Sequence, residues 1–170
     1  FEDDYASNTQ TSGILGIDGE LVSGRHNYRG DADWFEISID ETIPAILFKT
    51  ISDLSSWTPT LAIYDIEGNF VGYTSYVSAS GEQFLKFNEA GTYYVSVEFN
   101  SNDVGDYTLE ADVVPDDFTN STATTGVLEL DGSVVNGVVN YGRDSDWFFF
   151  ETTLQDTIVD FTIDTLFGEI

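Results

Sequence analysis

The stretch DADWFEISI, residues 31–39, decides the fold. From Trp34 onward it alternates: Phe35, Ile37 and Ile39 fall on one side, Trp34, Glu36 and Ser38 on the other. A period of two is what a strand with one buried face requires. The same step returns as DSDWFFFE, residues 144–151, so that Asp144 stands 113 residues after Asp31.

The match widens around both copies. DDYASNTQTSGIL (3–15) aligns with DDFTNSTATTGVL (116–128), and LVSGRHNYRGDADWF (21–35) with VVNGVVNYGRDSDWF (134–148), at one constant offset and without a gap. Self-similarity at a fixed spacing marks two homologous units. The first is complete, residues 1–114. Val114-Pro115 forms the boundary, because a proline cannot donate to a central ladder. The second, 115–170, is the first half of a module, since Ile170 falls opposite Trp57.

The rest of the first unit also reads as strand. Alternating segments lie at 45–51, 60–64, 70–73, 83–87, 92–99 and 107–113, with turn residues at 65–69, 88–91 and 100–106. There is no amphipathic helical stretch of useful length. Short strands at this spacing predict an all-β chain, an antiparallel, jelly-roll-like β-sandwich.

Composition narrows the function. Of 170 residues, 41% are hydrophobic and 15% aromatic, enough for a packed core. Acidic residues number 31 against 5 basic ones, a formal net charge of −26. Nucleic acid and anionic membrane surfaces are therefore unsuitable partners, because both require Lys and Arg. A compact chain so charged repels itself. Bound divalent cations answer that repulsion; a saline solvent is the competing explanation. Cysteine and methionine are both absent, so neither disulfides nor thiol chemistry are available. No apolar run reaches the roughly 20 residues of a membrane span. Phe1-Glu2-Asp3-Asp4 is not a signal peptide, so a targeting signal, if used, is expected outside this sequence.

In order, DDYASNTQTSG, GDADWFEISI, LAIYDIEGNFVG, GTYYVSVE and GDYTLEADV resemble the bacterial pre-peptidase C-terminal domain family. The resemblance covers the first unit and the available half of the second. It implies a β-sandwich accessory module, often calcium-bound, beside secreted peptidase domains or within large surface proteins and adhesins. The collagen-binding modules of clostridial collagenases are similar in fold. Catalysis by the module itself is not implied.

Calcium takes six to eight hard oxygen ligands. Asp31 and Asp33 stand two apart at a strand entrance, where both side chains point the same way. Asp3 and Asp4 begin the unit, where a linker passes the same end of the sandwich. In the modules that the chain resembles, a metal is held between these two segments. Carried over, this gives Asp3, Asp4, Asp31 and Asp33 in the first unit, and Asp116, Asp117, Asp144 and Asp146 in the second, as candidate Ca2+ ligands. Glu2, Glu110 and Asp112 are further candidates. The plain alternative is solvated turn acids. No EF-hand loop occurs.

Other motifs carry less. Trp34-Phe35 and Trp147-Phe148 each read as one core aromatic and one covering the metal loop; a stacking platform for sugar or peptide is the sharper reading. Trp57 and the cluster Phe70, Tyr73, Tyr76 invite the same choice. His26, the single histidine, has Val139 as its counterpart and reads as a loop or surface residue. No nucleophile elbow, zinc-protease helix or phosphate loop is present. The RGD at 29–31 reads as coincidence, its Asp being claimed by the proposed metal loop.

The half module leaves apolar strands with open edges. A longer parent protein, an inserted domain, or strands from a neighbouring subunit would each complete it. The expected role is a non-enzymatic, calcium-stabilised module of an exported surface or filament protein, extracellular or at the cell surface. It would serve extension or adhesion, with neighbouring repeats or subunits and a protein or glycan ligand as partners. The alternative is a substrate-binding accessory domain of a secreted peptidase.

Overall fold

Ten strands and no helix make up the regular structure among the described residues of the computed structural model, which are 2–41, 43, 45–52, 59–76, 82–99, 104–119, 121–140, 144–152 and 158–164. They are β1 (Gly13–Ile14), β2 (Val22–His26), β3 (Ala32–Ile39), β4 (Ala45–Ser52), β5 (Thr60–Tyr64), β6 (Phe70–Tyr73), β7 (Ser75–Tyr76), β8 (Glu82–Leu85), β9 (Gly91–Glu98) and β10 (Gly105–Val114). One sheet has the order β1-β3-β9-β5-β6, the other β2-β10-β4-β8-β7. Every pairing is antiparallel except that of β1 with β3. The fold is an all-β sandwich.

Alternation explains the layers. Phe35, Ile37 and Ile39 of β3 join Leu61 and Ile63 of β5 and Val95 and Val97 of β9 in one buried cluster. Ile46 and Phe48 of β4 and Tyr107, Leu109 and Ala111 of β10 join it from the other sheet. Each fully buried Phe, Leu or Ile side chain stabilises the fold by about 1.5–3 kcal/mol. β10 shows the period most plainly: Gly105, Tyr107, Leu109 and Ala111 are buried, and the residues between them are not.

Two readings are corrected. His26 is not a surface residue: it ends β2 with its ring buried 5.3 Å from that of Phe99. The strand escaped the sequence reading because Gly24 occupies its central inward position and breaks the apolar alternation. Trp34 does not cover the acidic loop; it stacks on Tyr64, with ring centroids 4.1 Å apart, on the face opposite Phe35. Trp57 lies outside the described residues.

By compactness the chain divides into Phe1–Asp116 with Val139–Asp144, and Asp117–Val138 with Ser145–Ile170. All ten strands belong to the first unit. In the second, one parallel bridge joins Val127 to Phe149, the counterpart of Ile14 opposite Glu36 between β1 and β3.

Candidate metal centre

The acidic site of the first module is built from two segments. The N-terminal stretch brings Asp3 and Asp4; the entrance to β3 brings Asp33. Each offers one carboxylate oxygen, and the three oxygens lie within 4.8 Å of one another. Asp4 is held in place by donors: Arg25 N–H donates to its Oδ2 at 2.9 Å, and the Asn27 amide to its Oδ1 at 2.5 Å. These bonds pin the N-terminal stretch to the end of β2.

Asp33 is the buried member, 1% exposed. The Tyr107 hydroxyl, from β10, donates to its Oδ2 at 2.6 Å. Its Oδ1 is also buried and has no hydrogen-bond partner. Such an orphaned oxygen is costly unless something compensates it. Burial pushes the Asp33 carboxyl up to about 8; the Tyr107 hydrogen bond opposes this, and the nearby charges of Asp4, Asp31 and Asp3 reinforce it. Asp3 is also raised, by partial burial and then by the charges of Asp31 and Asp4.

Asp31 behaves differently from its expected partner. It is buried, but its Oδ2 accepts from Asn27 N–H at 2.6 Å and its Oδ1 from Ala32 N–H at 3.0 Å. Its carboxylate closes the loop 27–31 and stays outside the three-oxygen group. The RGD tripeptide is thereby not displayed as a ligand. Of the further candidates, Glu110 lies opposite Lys49, Asp112 lies opposite Asp18, and neither joins the group; Glu2 is exposed.

The second set of acids reproduces this framework locally. Asn140 N–H donates to Asp144 Oδ2 at 2.7 Å, as Asn27 does to Asp31. Asp116 and Asp144 offer oxygens within 4.8 Å of each other. Val138 N–H donates to Asp117 Oδ2 at 2.9 Å, the distance found from Arg25 to Asp4. Asp146, like Asp117, faces Gly137: an ideal Cβ there would lie 3.0 Å from Asp146 Oδ2 and 3.5 Å from Asp117 Oδ2. The supporting bonds also recur. Thr11 and Thr124 donate to the carbonyls of Trp34 and Trp147 at 2.7 and 2.6 Å. Tyr5–Phe35 and Phe118–Phe148 are tilted ring pairs at 4.6 and 4.7 Å, both at 53°.

Sequence reasoning missed Tyr107. The available signal was Gly24, which recurs as Gly137: a Cβ at Gly24 would collide with the Tyr107 ring and hydroxyl.

No family model matches the sequence, and no protein of curated function aligns with it. Several solved structures are similar in fold, two of which are described. One is the pre-peptidase C-terminal domain of collagenase from Bacillus anthracis, at 14% identity and TM-score 0.46, covering 59% of this chain and 95% of that one. The chain is similar to a pre-peptidase C-terminal domain. The other is PliG of Aeromonas hydrophila, a periplasmic inhibitor of g-type lysozyme, at 10% identity and TM-score 0.42, covering 58% and 88%. Among the described residues no helix is long and apolar enough to cross a membrane.

Proposed function

We propose that the chain is a non-catalytic, calcium-stabilised β-sandwich module of an exported bacterial surface or filament protein, used for extension and adhesion. The observation that carries this reading is the buried, unpartnered Oδ1 of Asp33, on a carboxylate that offers an oxygen within 4.8 Å of oxygens from Asp3 and Asp4. Water-exposed turn acids do not need burial; a hard cation does need converging carboxylates. Calcium fits the donor set, which is all oxygen. Asp3, Asp4 and Asp33 would hold it, with Asp31 shaping the loop beside them. Bound calcium supplies positive charge that offsets their mutual repulsion. It would fasten residues 2–5 to the start of β3, so pulling on the N-terminus loads the sandwich instead of peeling a loose linker. Asp116 and Asp144, whose oxygens also lie within 4.8 Å of each other, would hold an ion in the same way. Adhesion falls to the exposed rings of Phe70, Tyr73 and Tyr76.

The test is thermal unfolding in EDTA and in millimolar calcium, with magnesium and matched ionic strength as controls. A ligand at 100 times its Kd adds about 2.7 kcal/mol, which for a domain of this size raises Tm by about 10 °C. A rise of that order specific to calcium is expected. An equal rise with any salt would sink the calcium reading and leave a saline-adapted acidic surface.

A further inference from the structure

An open aromatic surface lies where β6, at the margin of one sheet, passes into β7, at the margin of the other. Phe70, Tyr73 and Tyr76 are 52%, 59% and 57% exposed. A series of ring contacts leads out to them from the buried Trp34. Trp34 stacks on Tyr64 at 4.1 Å, Tyr64 meets Phe70 edge-on at 5.8 Å, and Phe70 meets Tyr73 at 4.8 Å. The strand register sets this order, since Phe70 lies opposite Tyr64 and Tyr73 opposite Ala62.

The crossover between the two strands is held from inside. Thr74 stands between them. Its N–H donates to Leu61 O at 3.1 Å, and its hydroxyl to Gln83 Oε1 at 2.6 Å. Gln83, itself buried, donates from Nε2 to Pro59 O at 2.9 Å, and the Tyr76 hydroxyl donates to the same carbonyl at 3.4 Å. This network limits the freedom of Tyr73 and Tyr76 on either side of Thr74. Groups fixed before contact lose little entropy on binding, and clustered exposed rings mark interaction surfaces.

Charge selects the occupant. Residues 59–76 contain Asp65 and Glu67 but neither Lys nor Arg. Glu98 stands beside the ring series, its Oε1 accepting from the Tyr64 hydroxyl at 3.5 Å and from the Ser96 hydroxyl at 3.0 Å. The whole chain carries −26, so a second copy or an anionic polymer meets like charge. A cation is attracted both to a ring face and to a carboxylate, and the planar, weakly hydrated guanidinium suits both. We propose that the surface of Phe70, Tyr73 and Tyr76 binds an arginine-rich polypeptide segment of a partner protein. Its guanidinium groups stack on the rings, with Glu98 as counter-charge. The inference rests on the reading of these rings as the adhesive surface, and not on calcium.

The probe is the peptide Gly-Arg-Gly-Arg-Gly-Arg-Gly, titrated into the 170-residue chain at physiological salt in millimolar calcium and followed by NMR of the aromatic rings. The expected result is saturable 1:1 binding that shifts the rings of Phe70, Tyr73 and Tyr76. The same peptide with citrulline for arginine keeps the shape without the charge and should bind about tenfold more weakly. Phe70→Ser combined with Tyr73→Ser alters exposed positions, keeps every charge of the chain and should also weaken binding about tenfold. Equal binding by the citrulline peptide, or by the double variant, would overturn the proposal; the second result would reduce the attraction to diffuse charge. A neutral oligosaccharide that shifts these rings where the arginine peptide does not would overturn the cationic partner and leave the adhesive surface standing. No shift at these rings with either probe would remove both. A concentration-dependent dimer that covers the rings would also overturn the proposal, making a second copy the occupant.

Discussion

Asp33 combines two demands in one side chain. Oδ2 takes the Tyr107 hydroxyl across the sandwich at 2.6 Å, and Oδ1 is buried without a hydrogen-bond partner. With burial holding its carboxyl at about 8, the cation-free side chain is a neutral acid near pH 7. Asparagine mimics that state in size and keeps an acceptor for Tyr107. Asp33→Asn should therefore melt within about 2 °C of the native chain in EDTA and lose the calcium-dependent rise. A large loss already in EDTA would show that the carboxylate is needed for packing and not for an ion. Gly24 makes the complementary case. Gly24→Ala drives a methyl into the Tyr107 ring, which Asp33 anchors, so neither partner can yield freely. Overpacking of this kind costs about 1–3 kcal/mol. Urea unfolding of the first module should show that loss, and unchanged stability would mean that Tyr107 can leave its place. The repeated Asp-x-Asp step was legible in the sequence, but the unequal roles of its two acids were not. Asp31 is claimed by the amides of Asn27 and Ala32, and a loop's backbone donors leave no trace in side-chain identity.

At the level of elements, legibility followed the strength of alternation. The strands at 60–64 and 70–73 were read to the residue, and the others within two residues at each end. Three were missed. β1 and β7 have two residues each, too short for a period, and β2 hides behind Gly24. The β5–β6 turn was legible because its chemistry is local. Asp65 and Asn69 exchange backbone and side-chain bonds: Asp65 N–H donates to Asn69 O at 2.9 Å, Asn69 N–H to Asp65 Oδ1 at 2.8 Å, and the Asn69 amide to Oδ2 at 2.9 Å. Gly68 takes the positive φ of 83° that the turn requires. The Asn69 side-chain bond is the main reason that the Asp65 carboxyl lies below its ordinary 3.8, with the Asn69 backbone bond second. A depressed folded pKa contributes stability above the unfolded value, lost as pH falls through the folded one. Asn69→Ala should move the Asp65 titration, followed by NMR, upward toward 3.8. An unmoved titration would show that the backbone bonds alone hold it down.

At the scale of the whole molecule, several bonds of the first unit have counterparts 113 residues further on. These bonds recur because both partners lie within 23 residues of each other: Thr124 to Trp147, Asn140 to Asp144 and Val138 to Asp117 all repeat bonds of the first unit. What does not recur is the ladder, because a ladder needs partners far along the chain. β9 lies between β3 and β5, and β10 between β2 and β4, each bonded on both sides. The second unit shows one bridge among its described residues. Amide exchange follows the opening of hydrogen bonds, so protection should differ by repeat and not by sequence type. Deuterium uptake should be slow across Ala32–Ile39 and fast across 145–152, although both carry the Asp-Trp-Phe step. The contrast should be larger than any effect of calcium, since an ion at the acids adds no hydrogen bond to the amides of 147–152. Matching slow exchange in both copies would show that 145–152 are hydrogen-bonded in solution as Ala32–Ile39 are.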